Sequence, residues 1–159
     1  MQEEMLIRFL VENQERFYRL AYSYLGSREE ALDAVQSAVC KALEKQDSLR
    51  EPGAMHTWFY RILVNICTDM LRRRRWFAPI SADELDRGAY EDPLPDDEME
   101  GRLSALPPEV QTVIRLRFYE DLSLKEIAEI TGDPLSRVKN RLYSGLKKLR
   151  VSIESEESI

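Results

Sequence analysis

Apolar positions recur along most of this chain with the spacing of helix faces. Over residues 5–25, Leu6, Phe9, Leu10, Phe17, Leu20, Ala21, Tyr24 and Leu25 fit one or two helices ended by Gly26. Ser27 and Glu30 stand at capping-box spacing, and Ala31, Leu32, Val35, Ala38, Val39, Ala42 and Leu43 behind them predict a helix over 28–45. Pro52 and Gly53 make 46–56 a loop. The next helix is predicted over 57–75. Phe59, Ile62, Leu63, Ile66 and Met70 form its buried stripe, while Arg61, Asn65, Thr68, Asp69 and Arg72 share a polar face.

From 78 to 100 the periodicity stops. Pro79, Gly88, Pro93, Pro95 and nine acids predict an extended, self-repelling linker. Pro107 and Pro108 then sit where a helix starts, followed by Val110, Val113, Ile114 and Phe118. Ser123 and Glu126 give a second capping box, Leu124, Ile127, Ala128 and Ile130 follow, and Gly132 stops that helix. Asp133 can cap the last helix, with Pro134 at its first position, and Val138, Leu142, Leu146 and Leu149 bury one side of it. Two short helices joined by a glycine-containing turn are the helix-turn-helix pattern. No strand pattern and no internal repeat occurs. The predicted fold is all-α, with two small helical domains (1–77 and 104–150) joined by a flexible acidic linker (78–103) and followed by a disordered acidic tail (151–159).

Composition excludes several classes of function. Hydrophobic residues are 43% and charged residues 33% of 159, which describes a globular chain with a polar bias. Two modules of this size bury modest cores, so docking on a partner is expected to supply part of their order. No run approaches a membrane span. The opening MQEEMLIRFLVENQ has acids where a signal peptide needs positive charge, so the expected address is cytoplasmic. Cys40 and Cys67 lie in helical patterns without CxxC spacing and read as buried thiols. His56 is the sole histidine, which leaves a catalytic triad or a His-rich zinc site little to build on. No catalytic residue, metal or cofactor is expected, and the chain does not read as an enzyme.

The net charge of −6 argues against a uniformly basic nucleic-acid binder, but its distribution changes the picture. Residues 1–77 carry +1, 78–105 carry −7, 106–150 carry +3 and 151–159 carry −3. DNA contact depends on local charge. On the last helix Ser136, Asn140, Tyr143 and Lys147 lie opposite the buried stripe, flanked by Arg137 and Lys139. Short polar groups for base edges beside cations for phosphates are what a recognition helix needs. A merely solvated face is the alternative, and the tight turn after a capped helix favours DNA. The run Arg72-Arg73-Arg74-Arg75, followed by Trp76 and Phe77, admits two readings. It is a helix end suited to its dipole, or a cationic and aromatic surface for phosphates and unpaired bases.

TWFYRILVNICTDMLRRRR (57–75) resembles the promoter −10 reading helix of extracytoplasmic-function sigma factors, a class of the sigma-70 family. REEALDAVQSAVCKALE (28–44) is similar to the helix by which that family grips the polymerase clamp. LPPEVQTVIRLRFYEDLSLKEIAEITGDPLSRVKNRLYSGLKKLR (106–150) resembles its −35 reading domain. These stretches cover about two-thirds of the chain, in the family's order around a linker.

The resemblance implies a sigma factor: a subunit that brings core RNA polymerase to promoter DNA and helps open it. Its domains would be a region 2 bundle and a region 4 helix-turn-helix. Arg61, Asn65, Thr68 and the loop 48–56 would take unpaired −10 bases, and Arg72, Arg73 and Arg74 would hold phosphates. Asp69 would buttress that face, and Trp58 would pack rather than stack on a base. Asp33, Val35 and Gln36 would meet the polymerase clamp, and the other domain its flap. Lys139, Asn140 and Tyr143 would read −35 base edges, with Ser136, Arg137 and Arg141 on phosphates. The resemblance also implies an anti-sigma protein as partner, often membrane-attached, and a stress or envelope response. It adds that the linker threads near the RNA exit path, whereas composition alone is equally served by a plain tether.

Departures are Ser37 where an acid is common, Ser136-Arg137 for a usual Gly-Thr, and Ser144-Gly145 for a usual Arg-Ala. They weaken one polymerase contact and leave the DNA preference open. The rival is a helix-turn-helix repressor or activator acting without polymerase, which leaves the polar face of 57–75 unexplained. A nuclease would need clustered acids around a metal, and the acids here concentrate in the linker.

Overall fold

The computed structural model describes residues 2–77 and 97–157, the side chains at 75–77, 97–98 and 155–157 excepted. The linker residues 78–96, the side chains of Arg75, Trp76 and Phe77, and the last residues of the tail lie outside the described residues. Among the described residues every regular element is a helix, and none is long and apolar enough to cross a membrane. The chain divides into two units, Met1–Tyr90 and Glu91–Ile159.

The first unit contains α1 (Gln2–Glu12), α2 (Gln14–Leu25), α3 (Arg28–Glu44) and α4 (Met55–Phe77). Gly26 ends α2 in the left-handed region at φ 68°, where a side chain would be strained. Ser27 then caps α3, its Oγ accepting the Glu30 N–H at 3.3 Å. The packed helices α2, α3 and α4 enclose an aromatic cluster. Phe17 stands 4.5 Å from Phe59 and 5.7 Å from Tyr60, ring centre to ring centre, and Phe9 closes the cluster 5.5 Å from Phe17. Tilted and edge-on pairs of this kind each add ~0.5–1.5 kcal/mol beyond their buried area.

Helix α3 buries alanines rather than leucines. Ala31, Ala34, Ala38 and Ala42 are fully buried, whereas Leu32 is 55% exposed and Leu43 36%. Alanine stripes let helix axes approach closely, and that rotation turns the larger side chains outward. It also leaves Cys40 exposed, against expectation, while Cys67 is buried. On α4 the buried stripe is likewise turned from the expected one. Phe59, Tyr60, Leu63, Val64, Cys67 and Thr68 are buried, and Ile62, Ile66 and Met70 are half-buried.

The second unit contains α5 (Asp97–Ser104), α6 (Pro108–Phe118), α7 (Leu124–Thr131) and α8 (Leu135–Glu157). Helix α5 falls in the stretch expected to be linker. Its Leu103, with Leu106 just beyond it, is buried, so tertiary packing overrides an acidic composition. Gly132 stops α7 in the left-handed region at φ 76°, and α8 follows after a short turn. Val138, Leu142, Gly145 and Leu149 face inward, while Leu146 and the end-of-helix Phe118, both expected inside, are exposed. Gly145 marks a close approach, since a Cβ there would meet Val110 Cγ1 at 2.6 Å and Ile114 Cδ1 at 2.7 Å. Helix α8 runs on to Glu157 through residues expected to be a disordered tail. An i,i+4 pair supports the extension: Arg150 Nε donates to Glu154 Oε1 at 3.0 Å.

Candidate nucleic-acid interface

Helix α4 presents a polar strip set by its period. Arg61, Asn65, Asp69, Arg72 and Arg73 are all exposed, roughly one per turn. Asp69 lies 3.4 Å from Arg72 Nη1, an exposed pair one turn apart along the strip. Two expected members are absent from it. Thr68 is buried, and its hydroxyl donates to the Val64 carbonyl at 2.9 Å, so it faces the bundle. Arg74 turns inward, donating to the Leu25 carbonyl at 2.9 Å and pairing with Glu30. That arginine fastens the C-terminal half of α4 to the α2–α3 turn. It also takes the carboxylate that would have completed the Ser27–Glu30 capping box.

The loop before α4 is held from three sides. Trp58 is half-buried, and its Nε1 donates to Ser48 Oγ at 3.1 Å. Gln2 Nε2 donates to the carbonyls of Gln46 and Leu49 at 3.2 and 2.8 Å. Leu49 and Met55 are buried. The loop is therefore pinned beside the polar strip of α4, which suits it to meet whatever that strip meets.

On α3 the expected partner residues divide. Asp33 and Gln36 are exposed and line a shallow open groove with Ser37, Cys40, Lys41 and Glu44. Val35 is 6% exposed and belongs to the core, on the alanine side of the helix. The outward leucines Leu32 and Leu43 border one edge of this surface. The sequence signal for them was the alanine period itself, because a helix that buries four alanines must present its leucines elsewhere.

In the second unit Ser136, Arg137, Lys139, Asn140 and Tyr143 are exposed on α8, and Arg141 is half-buried. Asp133 does not cap α8. The Pro134 carbonyl accepts the first bonds of the helix, from the Arg137 and Val138 N–H groups at 3.0 and 3.2 Å. The Asp133 carboxylate instead pairs with Arg137 and Arg141. Behind this surface lies a group that the sequence did not single out. Arg115 is fully buried, with Nη2 donating to Gln111 Oε1 at 3.0 Å and Nη1 lying 2.7 Å from Glu100 Oε1. Tyr119 donates its hydroxyl to the other oxygen of Glu100 at 3.0 Å. An arginine four residues after a glutamine on a helix otherwise lined with Thr112, Val113, Ile114 and Leu116 was the available signal.

Sigma-70 region 2 matches residues 9–77, and Sigma-70 region 4 matches residues 102–151. Over 155 residues the chain is 37% identical to the RNA polymerase sigma factor SigV of Bacillus subtilis, covering 96% of this chain and 93% of that protein. It is 30% identical over 161 residues to the ECF RNA polymerase sigma factor SigW of the same organism, covering 86% of this chain and 82% of that protein. Among solved structures it shares the fold of the sigma factor RpoE of Bartonella quintana, determined in complex with the anti-sigma factor NepR. That match has a TM-score of 0.70 and 22% identity, covering 92% of this chain and 95% of the other.

Proposed function

The chain belongs to the sigma-70 family, among the extracytoplasmic-function RNA polymerase sigma factors, and from that premise we propose a separate task for each surface. The outer side of α3, with Asp33 and Gln36 between Leu32 and Leu43, docks on the clamp of core RNA polymerase. Burial of the two leucines supplies apolar contact, and the intervening polar groups set its register. The strip Arg61, Asn65, Arg72 and Arg73, with the loop 48–56, takes the separated −10 strand. Thr68 and Arg74 support that strip from inside. Helix α8 enters the major groove at −35, with Lys139, Asn140 and Tyr143 at base edges and Ser136 and Arg137 at phosphates. The C-terminal unit also meets the polymerase flap.

The domains are then 1–77 and 104–150, joined by the acidic segment 78–103, with α5 at its end packed on the C-terminal unit. No task is assigned to 151–159. The chain works in the cytoplasm beside the polymerase and is itself no catalyst, since the polymerase supplies the chemistry. An anti-sigma factor holds it until a stress or envelope signal releases it.

The observation that carries this reading is the pair of exposed polar helix faces, one in each unit, on residues that sit among buried neighbours. Unstacking −10 bases costs a few kcal/mol each, and base and phosphate contacts along α4 offset it. A base pair at −35 shows a distinct donor and acceptor pattern in the major groove, which a helix can read. Linking the two contacts on one chain raises their effective concentration. Run-off transcription with purified core polymerase tests the proposal: promoter-dependent starts are expected only when this chain is added. Failure of core enzyme to capture the chain, or starts that do not depend on promoter sequence, would sink it. Tight, specific duplex binding by a pure dimer would point instead to a repressor.

A further inference from the structure

Asp133 stands in the turn between α7 and α8 and touches Arg137 and Arg141, the two arginines of α8 expected at phosphates. Its Oδ1 lies 3.2 Å from Arg137 Nη1 and its Oδ2 lies 2.6 Å from Arg141 Nη1. The Asp133 side chain is 18% exposed, and its backbone N–H is directed at Thr131 Oγ1, 3.4 Å away, so the carboxylate is held in place by the turn that carries it. Arg141 is 26% exposed and Arg137 58%. One arginine is therefore engaged near the protein surface, and the other is shared with solvent on the side a duplex would approach.

The geometry points to Asp133 as a counter-charge that restrains the sequence-independent part of DNA binding by α8, an inference that rests on the duplex-reading role proposed for that helix. Two guanidiniums and one carboxylate present a single positive charge to a phosphate. A phosphate arriving at Arg137 must displace Asp133 or share the guanidinium with it, and it is repelled by the carboxylate in either case. Fewer counterions are then released from the DNA, which lowers affinity and flattens its dependence on salt. Contacts from Asn140 or Tyr143 to base edges do not depend on this charge. Removing the carboxylate should raise affinity by the same factor on a good −35 sequence and on an arbitrary one. Asp133 thus keeps the chain from settling on DNA through charge alone and leaves stable binding to joint engagement of both units.

The test compares the full chain with its Asp133→Asn variant, titrated by fluorescence anisotropy onto a mixed-sequence DNA duplex and a promoter duplex over a range of salt. The variant is expected to bind both about three- to tenfold more tightly at low salt, with a salt slope steeper by about one phosphate contact, ~0.9. Equal or weaker binding with an unchanged slope overturns the inference, because Asp133 would then serve only to fasten the turn. Arg137→Gln in the parent chain gives a second reading that does not depend on the folding of the first variant. In the parent it should flatten the slope by well under one contact, and, where Asp133→Asn folds, the same change beside it should flatten the slope by about a full contact. A full loss already in the parent overturns the proposal. If neither parent nor variant binds any duplex at low salt, while transcription still requires the chain, the duplex-reading role of α8 falls and takes this inference with it.

Discussion

In the N-terminal unit aromatic rings fill the centre, and the inward-turned arginine, Arg74, sits at the edge with 20% of its side chain exposed. In the C-terminal unit a guanidinium lies inside: Arg115 has no exposed surface and is met by Gln111 and Glu100. The same residue type therefore closes one unit from its rim and organises the other from within. The difference follows from what surrounds each cation. The first unit has Phe9, Phe17, Phe59 and Tyr60 to fill space, so a charge is needed only where α4 meets the α2–α3 turn. The second packs three helices of 8 to 11 residues against one long one, and among its described residues there is no comparable aromatic cluster. It fastens α5, whose composition is that of a linker, through one ion pair and the Tyr119 hydroxyl. An arginine's task is thus set by which acid lies within reach, more than by whether it belongs to a run of cations.

The largest effect expected from this contrast is at Arg115. Arg115→Ala strands the Glu100 carboxylate, and breaking a buried pair from one side costs ~3–5 kcal/mol. Arg115→Met combined with Glu100→Gln should recover most of that loss, because removing both charges is often nearly neutral. Both tryptophans, Trp58 and Trp76, belong to the N-terminal unit. Urea unfolding of Arg115→Ala followed by circular dichroism should show an early loss of helix, while tryptophan fluorescence keeps its parental midpoint. A coincident shift of both signals would mean that the charge is not a local device of the second unit.

A smaller effect separates adjacent arginines on α4. Arg74→Ala should cost ~1–2 kcal/mol in the stability of the first unit, the range for hydrogen bonds to a charged group, tempered by partial exposure. It should leave the salt dependence of promoter binding almost unchanged. Arg73→Ala should do the reverse, with parental stability and a salt slope flatter by about one phosphate contact, ~0.7–0.9. Identical behaviour of the two variants would erase the distinction between an arginine that fastens α4 and one that meets DNA.

Much of this was readable in advance, because helix periods, capping residues and the two stop glycines are local signals. Gly26, Ser27, Ser123 and Gly132 all act where their residue types place them. What the pattern did not show is rotation and partnership. Leu32 and Val35 are equally apolar in a periodicity count, and only the close approach allowed by Ala31, Ala34, Ala38 and Ala42 decides that the first faces out and the second in. Thr68 reads as polar, yet its hydroxyl is satisfied by the preceding turn of its own helix, which makes it compatible with the core. Arg74 depends on Glu30, 44 residues away in the chain, and Arg115 on Glu100 in a different helix, pairs that no local window contains. Asp133 meets Arg137 and Arg141 only four and eight residues on, but its place before Pro134 suggests a cap instead of an ion pair. Helix α5 has the composition of a linker for the same reason, since Glu100 acquires its meaning from Arg115 and Tyr119.

The two serine N-caps carry the comparison down to its smallest expected effect. Ser123 Oγ accepts the Glu126 N–H at 3.1 Å and Glu126 Oε1 accepts the Ser123 N–H at 3.0 Å, a reciprocal pair. Ser27 Oγ accepts the Glu30 N–H at 3.3 Å, but the Glu30 carboxylate is engaged by Arg74. Loss of a serine cap costs ~1 kcal/mol. Ser123→Ala should lie at or above that figure and Ser27→Ala below it, as read from the shift in each unit's unfolding midpoint. Double-variant cycles locate the reason. Ser123→Ala and Glu126→Ala should be coupled by about 0.5 kcal/mol, since each removal leaves the other's bond in place but isolated. Ser27→Ala and Glu30→Ala should add nearly independently, whereas Glu30→Ala and Arg74→Ala should not. Coupling between Ser27 and Glu30 as strong as that between Ser123 and Glu126 would show that Arg74 leaves its acid free to cap, and the rim of the first unit would then be held by something other than that ion pair.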